Sequence, residues 1–120
     1  MAISINLKRV NFDTFINQLN KSILDGSVDT WELDDDGDFT HSSPQWYQKA
    51  WFHAYKIDDF NIEFGILSRK GIKVSMMEYS IYHGRFVELL LNHCGENIEK
   101  MEIILPCKSV RDTKNVDYNI

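Results

Sequence analysis

The chain has 120 residues, 13 Lys and Arg against 18 Asp and Glu, and a formal net charge of −5 at pH 7. That length suits a single domain, and an apolar content of 43% with seven Phe, five Tyr and three Trp can fill a core without staples. The negative balance argues against nucleic-acid binding and against attachment to an anionic membrane, and no apolar run approaches the roughly eighteen residues of a membrane-spanning helix.

The opening residues alternate. Ile3, Ile5 and Leu7 point one way and Ser4 and Asn6 the other, which predicts a short strand. In NFDTFINQLNKSILDG, Phe12, Phe15, Ile16, Leu19 and Ile23 recur at helical spacing. Asn11 is placed to cap that helix, Asp13 suits its positive end, Gly26 its exit, and Val10 and Phe15 can staple the cap. Four strand candidates follow: residues 28–33, 39–42, 48–57 and 60–67. In the last, Phe60, Ile62, Phe64 and Ile66 are expected on one buried face, with Asp58 and Asp59 forming the hairpin turn before it. Ser75 and Glu78 have capping-box spacing, with Val74 and Tyr79 as staple. The helix they start carries Tyr79, Tyr82, Phe86, Leu89, Leu90 and His93 along one face and closes at Gly95. MEIIL, residues 101–105, reads as a final strand stopped by Pro106. The predicted order is β-α-β-β-β-β-α-β: an α+β domain over residues 1–107, with an antiparallel sheet of five or six strands and both helices on one face. Residues 108–120 are polar and unpatterned, and are expected to be a mobile tail.

WELDDDGDFTH, residues 31–41, is the most unusual stretch. A calcium loop of EF-hand type needs oxygens at alternate positions around a glycine and a closing bidentate Glu. With Gly37 at the glycine position, Glu32, Asp34, Asp36 and Asp38 fall on ligand positions, but Ser43 stands where the Glu belongs. The expectation is therefore an exposed hairpin turn from Asp34 to Asp38, without a metal. From Ser22 to Gln48 there are seven acids and no Lys or Arg, while the remainder is close to balanced. So local a charge excess suits steering of a basic partner, and Asp29, Glu32, Asp34, Asp35, Asp36 and Asp38 are the candidate partner-binding residues.

IYHGRFVELLLNH is the second candidate. Gly84 falls mid-helix, where it costs about 1 kcal/mol relative to Ala. That suggests either close packing or a groove formed with His83, Arg85 and Glu88, in which Arg85 and Glu88 can pair along the helix. His41, His53, His83 and His93 have no metal-ligand spacing, and no nucleophile elbow or phosphate loop is present. Neither catalytic residues nor a cofactor are expected. Cys94 and Cys107 read as free thiols of a reducing cytosol, and the N-terminus lacks a secretory pattern, so a cytoplasmic protein is expected. Trp46, Tyr47, Trp51, Phe52 and Tyr55 lack the basic groove of a base-stacking surface and read as core and rim.

The blocks GDFTHSSPQWYQKAWF and YHGRF, with FGIL between them, resemble a group of small uncharacterised bacterial proteins of similar length, over most of residues 28–93. That resemblance implies no activity. At class level the chain is similar to immunity proteins of bacterial toxin systems, as in contact-dependent inhibition and toxin-antitoxin pairs. Those are small, cytoplasmic, often acidic α+β domains that bind a cognate toxin. The similarity implies an inhibitor of a basic, nuclease-like toxin. The competing readings are a small enzyme with a His83, Arg85 and Glu88 pocket and an acidic mimic of nucleic acid.

Overall fold

The computed structural model describes residues 2–109, 111–112 and 115–117. Cys107's side chain, read above as a free thiol, lies outside that description. The elements are β1 (Ala2–Leu7), α1 (Phe12–Leu24), β2 (Trp31–Leu33), β3 (Phe39–His41), β4 (Ala50–Asp58), β5 (Asn61–Ser68), β6 (Val74–Ser75), α2 (Met76–Cys94), β7 (Ile98–Ile104) and β8 (Val116–Asp117). Six strands form one sheet in the order β2-β3-β4-β5-β1-β7, with every neighbouring pair antiparallel. The fold is α+β, as expected.

Side-chain alternation decides which face is covered. Ile3 pairs with Phe64, Ile5 with Ile62 and Phe52 with Ile66, and all six are fully buried. Phe15, Leu19 and Ile23 of α1 and Tyr79, Tyr82, Phe86, Leu89 and Leu90 of α2 join them in one core. The helices start where side chains can satisfy free backbone N–H groups. The Asn11 side chain accepts the Thr14 N–H at 2.9 Å. At α2, Ser75 Oγ accepts the Glu78 N–H at 3.1 Å while Glu78 Oε1 accepts the Ser75 N–H at 3.1 Å. Gly95 keeps a helical conformation and leads into a 3₁₀ turn through Asn97, so β7 begins at Ile98, ahead of the expected start. No helix of the described residues is long and apolar enough to cross a membrane.

Three further expectations change. Phe60 is 52% exposed, because the β4–β5 turn falls at Asp59 and Phe60 rather than one residue earlier. There the Asp58 carboxylate accepts the Phe60 N–H at 2.9 Å. Residues 28–30 precede β2 instead of belonging to it, and the Val28 N–H returns to the Ser22 carbonyl of α1 at 3.0 Å. The polar stretch after residue 107 is packed in its described part. Val116 is buried and pairs in parallel with Val74, joining β8 to β6. Arg111 lies over the Tyr55 ring at 4.0 Å and pairs with Glu63 at 3.0 Å, on the sheet face opposite the helices. Asp112 Oδ1 accepts the Ile66 N–H at 2.9 Å, and Asn115 donates to the Ile66 carbonyl at 3.1 Å. The passage is close: a Cβ on Gly65 would stand 3.0 Å from the Tyr55 ring and 3.3 Å from Arg111 Cβ and Asp112 Oδ1.

Candidate functional site

The acidic hairpin is built by its own side chains. Trp31 pairs with His41, Glu32 with Thr40 and Leu33 with Phe39, which leaves Asp34–Asp38 to turn the chain. Asp34 N–H donates to the Asp38 carbonyl at 2.9 Å, and Gly37 takes the positive φ of +79° that a side chain would resist. Asp34 Oδ1 accepts the N–H groups of Asp36 at 2.9 Å and Asp38 at 2.8 Å. Asp34 is therefore a turn-forming residue first, by the self-bonding habit of aspartate.

The six candidate carboxylates divide. Asp35 and Asp36 are exposed at the tip, and Glu32 and Asp34 are half-buried. Asp29 is exposed but lines a different groove, beside Arg85 and His93 of α2. Asp38 is only 7% exposed, which corrects its expected place in the exposed turn. It faces inward to His53, whose Nδ1 is 2.5 Å from Asp38 Oδ1. Burial pushes the Asp38 carboxyl up, and the bond to His53 pulls it back. Glu32, Asp34 and Asp35 share a hollow of about 240 Å³ with Tyr47 and Gln48.

Asp34, Asp36 and Asp38 bring carboxylate oxygens within 4.8 Å of one another, a spacing that a divalent cation can bridge. Two features oppose it. Arg69 and Lys70 line the same cleft, and Asp38 is already paired. Ser43, at the closing position of the calcium register, lines another cleft beside His41. Calcium prefers six to eight oxygens, and this loop supplies roughly half that from side chains.

The second candidate set comes apart. His83 is 2% exposed and belongs to the core. Its Nδ1 lies 2.7 Å from the Tyr79 carbonyl, and its ring packs edge-on to Phe52 at 4.8 Å. Gly84 is exposed, and a Cβ there would meet nothing within 4 Å, so neither packing nor a groove requires the glycine. Arg85 and Glu88 are exposed, 3.9 Å apart, and turned toward β2. Cys94 is buried, which pushes its thiol up to about 11 and leaves it inert as a nucleophile.

The residue that shares a cleft with Arg85 and feels its charge is His41. It lies on the same strand face as Phe39, and its ring packs edge-on to Trp31 at 5.1 Å. With Trp31, Ser43, Trp46, Arg85 and Glu88 it lines a cleft of about 310 Å³. The Trp46 wall is pinned from beneath. The Tyr82 hydroxyl of α2 donates to the Trp46 carbonyl and accepts the Lys49 N–H at 3.2 Å. The sequence signal for His41 was its parity with Phe39; the signal against His83 was its helical spacing from Tyr79, Phe86 and Leu90.

No protein-family model, no curated protein and no solved structure matches the chain.

Proposed function

We propose that the protein is a protein-binding inhibitor, an immunity protein that neutralises a basic bacterial toxin of nuclease type through its acidic hairpin. It acts by occupancy, not catalysis. One observation carries the reading: the hollow beside Tyr47 is lined by Glu32, Asp34 and Asp35 and includes no Lys or Arg among its lining residues. A Lys or Arg side chain of a partner fits there, with Asp36 on the adjoining side of the tip. A nuclease must be cationic where it holds phosphates, so an acidic tip is complementary to that groove. Asp38, committed to His53, is left out of the docking set.

Charge steering acts mainly on association rate and is screened over about 8 Å at physiological ionic strength. The triple change Asp34→Asn, Asp35→Asn and Asp36→Asn is expected to slow association with the toxin encoded beside this gene and to flatten its salt dependence. Stopped-flow or surface binding kinetics measure both. An unchanged association rate with an intact fold overturns the docking surface. The absence of any toxin gene beside this one overturns the immunity reading itself.

A further inference from the structure

The cleft between α2 and the β2–β3 hairpin has the makings of a small-ligand site, independent of the acidic tip. His41 is 6% exposed, and its Nδ1 accepts the Ser43 N–H at 3.2 Å. A neutral imidazole nitrogen that accepts carries no proton, so this contact assigns the ring proton to Nε2. Among the described residues no side chain or carbonyl takes that second N–H. That N–H is not sealed from solvent, and His41 lines the cleft, so a ligand acceptor entering it can take the bond in place of water. Burial lowers the His41 pKa below its usual 6.5, and the Arg85 charge lowers it further, so the donor stays neutral at physiological pH.

The surroundings narrow the ligand. Arg85 is 55% exposed in its side chain and 3.9 Å from Glu88, too long for a tight pair, so its planar fork of donors is free to turn inward. Trp31 and Trp46 supply flat apolar walls. Pockets for small molecules usually combine such walls with a few convergent polar groups at volumes of about 300 Å³ and above.

We propose that this cleft binds an oxyanion, carboxylate or phosphate, carried on an aromatic ring. Arg85 neutralises the charge, His41 Nε2–H donates a fixed hydrogen bond, and the ring lies against Trp46. Glu88, the like charge at the mouth, opposes the anion and sets a ceiling on affinity.

The test is a nuclear magnetic resonance titration of the whole chain with benzoate and, separately, phenyl phosphate. Saturable shifts are expected at His41 Nε2, the Trp46 indole and the Arg85 Nε. The tighter of the two ligands identifies the head group. Arg85→Ala is expected to weaken binding about tenfold or more, the loss of one charge-assisted bond. Glu88→Gln is expected to tighten it. Both positions are exposed, so the fold survives either change. No saturable shift with either ligand, or equal affinity in wild type and Arg85→Ala, overturns the site. Acetate and inorganic phosphate binding as tightly as their ring-bearing counterparts overturns the role of Trp46. None of these outcomes depends on the acidic tip, so the inhibitor reading stands or falls separately.

Discussion

Asp38 enters strand β3 and His41 leaves it, and both side chains are buried. Asp38 meets the ring of half-exposed His53 at 2.5 Å. His41 uses one nitrogen on Ser43 and lines a cleft with an exposed arginine. The two differ in what remains after folding. A buried polar group that finds its partner within the chain is spent on structure, as Asp38 is. One left half-satisfied beside a cavity is available to a ligand. The acidic hairpin follows the same division: Asp34 gives one carboxylate oxygen to its own turn, while Asp35 and Asp36 keep both of theirs for solvent or a partner.

Tyr82→Phe should break the cleft half of the comparison hardest. Removing the hydroxyl takes a bond from the Trp46 carbonyl, the Lys49 N–H and Thr40 Oγ1, and leaves the first two only their 3.3 Å bond to each other, at about 1–2 kcal/mol. Urea unfolding measures the loss, and the Asp38–His53 proton resonance should be unmoved. Gly84→Ala should raise stability by about 1 kcal/mol, since the position is helical, exposed and open, and binding in the cleft should be unchanged. The pH dependence separates the two buried groups. His41 has a lowered pKa when folded, so the unfolded chain binds its proton first. Stability is therefore lost as pH falls through 6.5 toward the folded value, and His41→Gln should remove that part of the acid limb. Asp38 is raised by burial and runs the other way, its ionisation costing stability as pH rises through its folded value. Comparing wild type and variant melting curves from pH 7.5 to about 5 isolates the histidine. The smallest effect expected is that of calcium: at micromolar concentration, calorimetry should register no binding at Asp34, Asp36 and Asp38, because Arg69 and Lys70 share their cleft.

The sheet and helices were legible because their signals are local. Ile62, Phe64 and Ile66 alternate, and Ser75 with Glu78 marks a helix start whatever surrounds it. Phe60 misled because alternation continues past the point where Asp58 folds the chain back. The pairing of Val74 with Val116 left no sequence trace: two residues carry no period, and the contact depends on chain closure over the intervening α2 and β7. At the sites, proximity in sequence was the wrong guide. His83, Gly84 and Arg85 are consecutive but point to core, solvent and cleft respectively, because each step along a helix turns by about 100°. Asp38 looked like its neighbours, and only the approach of His53 from β4 distinguishes it.

The N–H and carbonyl of Ile66 are held by side chains, those of Asp112 and Asn115, although the residue sits in a central strand. In hydrogen exchange this makes one amide a gauge for the end of the chain. Amides of β5 that bond within the sheet exchange only when the domain opens, but that of Ile66 exchanges whenever the last described residues lift away. The difference in protection between Ile66 and its sheet-bonded neighbours then reads out the docking equilibrium of the C-terminal segment directly, with no probe attached and no residue changed.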